Sequence, residues 1–224
     1  MLNMLRRDGM RLVARAAPVG PIGLTPKRAV DIILALTGIV LLAPLLIICG
    51  LLVFLSSSGP ILFRHRRVGF NGRNFDCLKF RTMVVDSSEQ LRWLLEHDSA
   101  AAAEWAANHK LKRDPRVTMI GAILRRSSLD ELPQLFNVLK GDMSIVGPRP
   151  VTEQELVRYS ESARAYLACR PGITGLWQVS GRSATSYGER VAYDTFYAHQ
   201  WSMALDAKIL IVTIPSLLLS DGAC

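Results

Sequence analysis

A chain of 224 residues that is half hydrophobic, yet carries a formal net charge of +8, is long enough for one domain with its own core. This balance favours a membrane surface, an anionic substrate or both, and no zinc-finger spacing points to nucleic acid. Four cysteines without a C-x-x-C pair argue against a disulfide framework and indicate a reducing compartment. The four histidines are scattered without metal-ligand spacing.

Residues 1–26 are predicted to form a flexible basic arm, because they carry several arginines and end in the Pro/Gly-rich "APVGPIGLTP". The run from Ile32 to Leu55 follows, with 24 residues and no charge. About 20 such residues suffice for a helix to cross a bilayer. This segment is therefore predicted to be a membrane helix.

The orientation of the membrane helix is predicted from its flanks and from Pro44. Basic residues lie close to both ends, and such residues prefer the cytoplasmic side. Pro44, near the middle, removes a backbone donor and clashes with the preceding turn. We therefore predict that residues 27–58 form a re-entrant helix-hairpin broken at Pro44. A single-pass anchor that tolerates the proline is the alternative.

Residues 59–224 are predicted to form a cytosolic globular domain of the α+β class, mainly helical. Asn71-Gly72 is a good hairpin turn between two short apolar–basic strands. Apolar spacing predicts helices over residues 86–110 and 152–168. The stretch "GDMSIVGPRP" is predicted to be loop and turn, and "RPGITGLWQVSGR" a glycine-rich strand and loop.

A helix near the end of the chain places four aromatic residues on one face. These residues are Tyr193, Phe196, Tyr197 and Trp201. Aromatic residues are enriched at membrane interfaces, so this face is either part of an interfacial amphipathic helix or ordinary core packing.

The stretch "RRSSLDELPQ" places two carboxylates, Asp130 and Glu131, at a predicted helix start. Pro133 is tolerated only in a first turn, so this helix begins no earlier than about Leu129 or Asp130 and buries apolar residues that include Phe136. One interpretation is a capping box with Ser128. The other is a nucleophile beside a metal ligand, because adjacent carboxylates repel unless a cation such as Mg²⁺ lies nearby.

Basic residues that could bind phosphate lie in several of the motifs. The candidates are Lys79, Arg81, Arg125, Arg149 and Arg170. Arg149 lies between two prolines, which restrict the backbone, and a guanidinium matches the geometry of phosphate oxygens. The alternative is a set of solvated basic residues that face anionic lipid.

Four stretches, taken in order, resemble one family. They are "KRAVDIILALTGIVLLAPL", "GPILFRHRRVGFNGRNFDCLKFRTM", "ILRRSSLDELPQLFNVLKGDMSIVGPRP" and "RPGITGLWQVSGR". They are similar to the bacterial sugar transferases that act on polyprenyl phosphate, the monotopic phosphoglycosyl transferases, and most similar to the exopolysaccharide-priming branch. The resemblance runs from about Lys27 to about Thr213.

The resemblance implies an enzyme that moves a sugar 1-phosphate, with galactose or glucose expected, from a UDP-sugar to undecaprenyl phosphate and releases UMP. The expected location is the cytoplasmic face of a bacterial inner membrane, where the reaction initiates exopolysaccharide or other surface glycan synthesis. Expected partners are the two substrates and membrane lipid, and nucleic acid is not expected. Whether the protein forms a homo-oligomer is left open. Mg²⁺ is the implied cofactor.

The resemblance also assigns roles to individual residues. Asp130 matches the nucleophile that forms a covalent phosphosugar intermediate, and Glu131 matches its partner, tied to Mg²⁺. Arg125 and Arg149 match positions that hold phosphate or nucleotide. Pro44 matches the proline that bends the re-entrant helix, although alanine precedes it here where several members have serine.

Two other classes of function are compatible with a basic, membrane-anchored chain. One is an interaction protein without catalytic activity, whose basic face recruits an acidic partner or lipid. The other is a nucleic-acid binder, which predicts strongly salt-dependent binding to arbitrary DNA. Both leave the ordered motifs unexplained.

Overall fold

The computed structural model describes residues 20–22, 25–108, 111–180 and 186–218. Most of the predicted arm therefore lies outside the described residues. Ile22, near its end, is buried among core side chains, and its N–H donates to the carbonyl of Ala168 at 3.0 Å. This contact binds the start of the described chain to the domain.

The first helix, α1 (Thr25–Ser56), is the helix among the described residues that is long and apolar enough to cross a membrane. Its backbone stays helical through Pro44. The helix is therefore not interrupted at Pro44, and packing on both sides of the proline accounts for this continuity, since tertiary contacts outweigh local propensity. That α1 bends at Pro44 into a re-entrant hairpin stays a prediction.

One stripe of α1 contacts the rest of the domain along nearly the whole helix. Near its start, Asp31 accepts hydrogen bonds from Ser144 Oγ and the N–H of Ile145 at 2.9 and 3.0 Å. Near its end, Cys49 and Val53 pack in the core. The opposite face is apolar and exposed, with Val40 and Leu41 among its most exposed side chains.

The predicted hairpin is confirmed. Strands β1 (Leu62–Val68) and β2 (Asn74–Phe80) are antiparallel, and a 3₁₀ turn, Phe70–Gly72, connects them. Asn71 and Gly72 have φ values of 53° and 74°, the left-handed conformation that these residue types adopt most readily. The hairpin places Lys79 near the end of β2, beside the candidate site.

The single helix predicted over residues 86–110 is instead two helices, α2 (Ser87–His97) and α3 (Ser99–Asn108). Asp98 separates them because its side chain accepts hydrogen bonds from the N–H groups of Ala100 and Ala101 at 2.9 and 3.0 Å. This is the interaction by which aspartate caps a helix start.

Helix α4 (Met119–Arg126) precedes the carboxylate pair, and α5 (Gln134–Lys140) follows it. The end of α5 is capped by Arg28 of α1, which donates to the carbonyls of Val138 and Leu139 at 2.5 and 2.9 Å. A cation at this end also complements the helix dipole. Phe136, predicted to be buried, is 40% exposed, because α5 turns its neighbours towards α1 instead.

The stretch predicted to be loop and turn contains a strand, β3 (Ser144–Val146), which pairs in parallel with β4 (Gly172–Thr174). The glycines explain why this pair forms. A Cβ on Gly172 would lie 2.1 Å from the N atom of Gly147, so the two backbones can approach only without side chains there.

Residues 152–168, predicted to be one helix, form α6 (Glu153–Val157), a 3₁₀ turn and α7 (Ala163–Leu167). Ser160, in the turn, has a φ of 47°, a left-handed conformation that interrupts the helix. Thr152 begins α6 with a capping box.

The chain continues through α8 (Leu176–Ser180), α9 (Tyr187–Gln200) and α10 (Met203–Leu218). The aromatic face of α9 packs in the core with its neighbour Trp201, so the interfacial alternative for it is wrong. Tyr197 is 2% exposed, and its hydroxyl donates to Asp206 at 2.7 Å. Asp206 also pairs with Lys27 of α1 at 2.5 Å, which ties the membrane helix to α10.

Candidate active site

The two carboxylates lie in a 3₁₀ turn, Leu129–Glu131, between α4 and α5. Ser128, just before the turn, has a φ of 56°, and its side chain makes no capping hydrogen bond. The capping-box interpretation of this stretch is therefore wrong. A non-glycine residue in the left-handed region costs about 1–2 kcal/mol, and such strain is concentrated at functional sites.

Lys79 of β2 faces both carboxylates. Its ammonium nitrogen lies 2.6 Å from Glu131 Oε1 and 3.8 Å from Asp130 Oδ2. The Asp130 side chain is 12% exposed and the Glu131 side chain 29% exposed. Two acidic oxygens thus lie near one cation in a half-buried site, where electrostatic interactions are stronger than in bulk water.

The pKa values of the two carboxyls shift in opposite directions. Burial raises the pKa of Asp130, and the charge of Glu131 adds to the rise, although Lys79 and Arg125 oppose it. Burial would also raise the pKa of Glu131, but attraction to Lys79 and Arg149 outweighs it, so that pKa is lowered. Carboxyls that differ in this way are typical of acid–base and nucleophilic sites.

A cleft opens beside the pair and is formed by side chains from β1, β2, β4, α5, α8 and the segment after β3. Its lining consists of Arg67, Cys77, Lys79, Glu131, Gln134, Arg149, Pro150, Gly172, Ile173 and Gln178. Arg149 has its guanidinium carbon 5.7 Å from the ring centre of Trp177, a cation–π contact. Three cationic side chains lining one small cleft suit a substrate that carries phosphate.

Arg125 lies near Asp130 but does not line the cleft. Its Nε donates to Thr82 Oγ1 at 2.9 Å, and its charge lowers the pKa of Asp130. Of the five basic residues predicted to bind phosphate, Lys79, Arg125 and Arg149 therefore surround the carboxylate pair.

Arg81 and Arg170 point elsewhere. Arg81 is 7% exposed and donates through Nη2 to the carbonyl and hydroxyl of Ser57, at 2.6 and 3.0 Å, just after α1 ends. Arg170 donates to the carbonyl of Gly141 at 3.0 Å and stacks on Phe70 at 5.0 Å. In this structure both arginines hold the ends of helices against the domain and do not line the cleft.

Sequence reasoning missed four polar residues that line the cleft: Arg67, Cys77, Gln134 and Gln178. Their signal was weak. Arg67 was one of several basic residues after the membrane helix, and Gln178 belonged to a motif whose helix α8 was not predicted. Burial raises the pKa of the Cys77 thiol to about 11, which keeps it protonated and a poor nucleophile at neutral pH.

Glu131, which lines the cleft, and its neighbour Asp130 are the acidic side chains that we consider for a metal ion. No cluster of three or more histidine, cysteine or acidic side chains forms a metal site in the described part of the chain. Mg²⁺ does not need one, because it commonly binds through one or two carboxylates plus substrate phosphates and water. The convergence of both carboxylates on Lys79 shows that they can share a cation, so the residues fit this ion.

A larger cavity of about 690 Å³ lies beyond the end of α1. Its lining includes Asp86 and Glu89 with several serines and valines, and none of the predicted site residues. Two acidic side chains without a basic one repel phosphate, so this cavity does not suit the expected substrates.

Comparison with known proteins agrees with the motifs. Residues 23–220 match the family model of bacterial sugar transferases. The exopolysaccharide production protein ExoY of Sinorhizobium fredii is 48% identical over 205 residues, which cover 92% of this chain and 91% of that protein. The undecaprenyl-phosphate galactose phosphotransferase of Salmonella typhimurium is 48% identical over 197 residues, 88% of this chain but only 41% of that longer protein.

A third relative extends the comparison to another sugar. The UDP-glucose:undecaprenyl-phosphate glucose-1-phosphate transferase of Caulobacter vibrioides is 42% identical over 205 residues, 88% of this chain and 71% of that protein. The predicted family and its exopolysaccharide branch are thereby confirmed. This chain belongs to the bacterial sugar transferase family.

Proposed function

We propose that this protein is a phosphoglycosyl transferase that moves a hexose 1-phosphate from a UDP-sugar to undecaprenyl phosphate and releases UMP. The observation that carries the proposal is the half-buried Asp130, which lies beside Glu131 and Lys79 at a cleft lined by Arg149. The relatives named above support the substrate class, with galactose and glucose both represented. The product would begin the synthesis of an exopolysaccharide or another surface glycan.

In the first step, a carboxylate oxygen of Asp130 attacks the sugar-bearing phosphorus of the donor. A P–O bond forms to Asp130, the anhydride P–O bond breaks, and UMP leaves with the bonding electrons. In the second step, a phosphate oxygen of the lipid attacks the same phosphorus and frees the Asp130 carboxylate. A covalent intermediate of this kind divides one difficult transfer into two easier ones.

The remaining residues position the substrates and neutralise charge. Lys79 and Arg149, which line the cleft, would interact with the phosphoryl oxygens of a donor, and Arg125 lies near Asp130. Asp130 and Glu131 would hold Mg²⁺, which when bound supplies charge neutralisation at the diphosphate. Catalysis of phosphoryl transfer depends largely on such positioning and electrostatic stabilisation.

We further propose that α1 enters and leaves the inner membrane on the cytoplasmic side. Support comes from the contacts at both of its ends, since Lys27 pairs with Asp206 and the carbonyl of Ser57 accepts a hydrogen bond from Arg81. A helix that spanned the bilayer would carry one of these ends away from the domain. The exposed apolar face of α1 would contact lipid, and the cleft would lie close to the membrane-bound acceptor.

Mass spectrometry of the enzyme with donor alone tests the proposal. We expect the wild-type protein, given a UDP-hexose and Mg²⁺, to gain the mass of one hexose phosphate and to release one equivalent of UMP. Asp130→Asn should do neither, whereas the control Asp76→Asn, which changes an exposed carboxylate on β2, should behave like wild type. UMP release that requires undecaprenyl phosphate, without an adduct, would show direct attack by the lipid. No release under any condition would favour the interaction protein.

A further inference from the structure

Two arginines, Arg67 and Arg149, line the cleft, and each contacts a residue that also interacts with Arg190 of α9. The residue between Arg190 and Arg67 is Glu155. Its Oε2 accepts from Arg67 Nη1 at 2.8 Å, and its Oε1 lies 3.8 Å from Arg190 Nη1. The Glu155 carboxylate is therefore placed between the two guanidinium groups and attracts both.

The residue between Arg190 and Arg149 is Trp177. The guanidinium carbon of Arg190 lies 5.0 Å from the centre of this indole ring, and that of Arg149 lies 5.7 Å from the same centre. Both distances are within the range of cation–π attraction, for which tryptophan is the strongest partner. A shift of the indole would therefore move the ring against which the Arg149 guanidinium packs.

A buried carboxyl lies near the same two arginines. Asp194 is 1% exposed and accepts a hydrogen bond from the hydroxyl of Tyr159 at 2.7 Å. It lies one helical turn after Arg190 on α9. Burial raises its pKa, and the positive charges of Arg190 and Arg149 oppose the rise. Asp194 is therefore close enough to both arginines to be influenced by their charge.

Hydrogen bonding does not account for Arg190. Its side chain is only 11% exposed, yet Nε and Nη2 are buried without a hydrogen-bond acceptor among the described residues. An arginine that serves only to hold the fold together normally has its buried donors satisfied. What Arg190 does provide is a planar cation against Trp177 and Glu155.

We infer that Arg190 is a positioning residue that fixes Arg67 and Arg149 in the orientation needed to bind the diphosphate of a nucleotide donor. The inference rests on the proposed function, because it takes the nucleotide diphosphate as the ligand of the cleft. Arg190 lies behind the cleft lining and acts through Glu155 and Trp177. Loss of Arg190 should therefore weaken donor binding and the first step, without changing the response to the lipid acceptor.

The experiment compares Arg190→Met and Arg190→Lys with a matched control, Arg158→Met. Arg158 also stacks on Tyr187, at 5.2 Å, as Arg190 does at 5.5 Å, but it is an exposed residue that does not line the cleft. UDP affinity is measured by calorimetry, the first step by the rate of adduct formation, and folding by the thermal unfolding midpoint.

For Arg190→Met we expect UDP affinity to fall about tenfold and the first step by up to about a hundredfold, the scale on which small misplacements slow catalysis. The KM for undecaprenyl phosphate should stay unchanged. Arg190→Lys keeps the charge but lacks the planar guanidinium, so its UDP affinity and first-step rate should lie between those of Arg190→Met and wild type. Arg158→Met should match wild type in all three measurements.

A double-mutant cycle separates positioning from general destabilisation. If Arg190 acts through Arg149, the loss caused by Arg190→Met should largely disappear when Arg149→Met is already present. The inference would be overturned if the fold-losses of Arg190→Met and Arg149→Met multiply in the double variant. It would also be overturned if Arg158→Met causes the same loss as Arg190→Met. If Arg190→Met does not fold, the same cycle is run with Arg190→Lys and read in the same way.

The readouts also separate this inference from the proposed function. If the wild type binds UDP but forms no adduct with a UDP-hexose, the covalent mechanism is refuted, while the cycle of UDP affinities still tests Arg190. Normal UDP binding and adduct formation by Arg190→Met would refute the role of Arg190 and leave the proposed function intact.

Discussion

The ammonium of Lys79 lies 2.6 Å from an oxygen of Glu131, closer than the 3.8 Å that separates it from Asp130. This pairing lowers the pKa of Glu131 against the opposing effect of burial, while the pKa of its neighbour Asp130 is raised. The arrangement keeps Glu131 charged beside Asp130, and it places the Lys79 cation in the lining of the cleft.

Replacing Lys79 with methionine should remove that cation while keeping most of the side-chain volume. We expect kcat/KM for the donor to fall about 10²–10³-fold, the range found when one group that stabilises developing negative charge is lost. UMP release at varied donor concentration measures this change. The exposed Lys112→Met is the control and should behave like wild type, and equal activity of the two variants would contradict the role of Lys79.

Gly172→Ala should disrupt the parallel strand pair that positions Arg149. The added Cβ would lie 2.1 Å from the N atom of Gly147, so one strand must move, at a cost of about 1–3 kcal/mol or more. Chemical unfolding in detergent and donor kinetics measure the effect, and we expect both stability and activity to fall. Gly188→Ala, where a Cβ meets nothing within 4 Å, should be neutral or slightly stabilising.

Lys27→Met should destabilise the protein strongly, because it leaves Asp206 without the cation that pairs with it. Both side chains are buried, at 7% and 9% exposed, and removal of one partner from such a pair costs about 3–5 kcal/mol. The free energy of unfolding in detergent measures this loss. Lys208→Met, a change of the same type at an exposed position of α10, should cost far less. Similar costs for both variants would show that the pair contributes little.

The buried carboxyl of Asp194 should make stability fall as pH rises. Burial raises its pKa to about 7, although the Tyr159 hydroxyl, Arg190 and Arg149 oppose the rise. Between pH 4 and 7 the folded state keeps a proton that the unfolded state releases at about pH 3.9, so stability decreases by up to about 1.4 kcal/mol per pH unit from this group. Asp194→Asn should remove this contribution from the slope of unfolding free energy against pH.

The control for Asp194 is Asp76→Asn, which removes a carboxylate at an exposed position and should keep the wild-type slope. A slope that Asp194→Asn leaves unchanged would show that Asp194 does not hold a proton in the folded state over this range.

The proposed membrane topology predicts the same labelling at both ends of α1. Single cysteines at Gly20 and Ser58, two exposed positions that flank the helix, should escape a membrane-impermeant maleimide in intact cells. Both should react in inverted membrane vesicles, where the cytoplasmic face is accessible. A background with Cys224→Ser and the buried native cysteines retained serves as the control. Labelling of one end alone in intact cells would establish a spanning helix.

Local patterns in the sequence were sufficient for several elements. The uncharged run predicted α1 because length and hydropathy alone decide whether a helix can enter a membrane, and the Asn-Gly pair predicted the β1–β2 hairpin because few other residues adopt positive φ. The ordered motifs indicated the family, which the comparisons confirm. They also selected Asp130 and Glu131, although their chemical roles stay predictions.

Contacts between distant residues decided the rest. The helix through Pro44 stays continuous because packing against the domain outweighs the local penalty of proline, and the four aromatic residues near the end of the chain pack in the core because α9 lies against α7 and α8. Arg81 and Arg125 are equally basic in the sequence. In the tertiary structure, Arg81 points towards the end of α1 and Arg125 lies beside Asp130. The sequence did not predict this difference, because the direction of a side chain depends on neighbours far away in the chain.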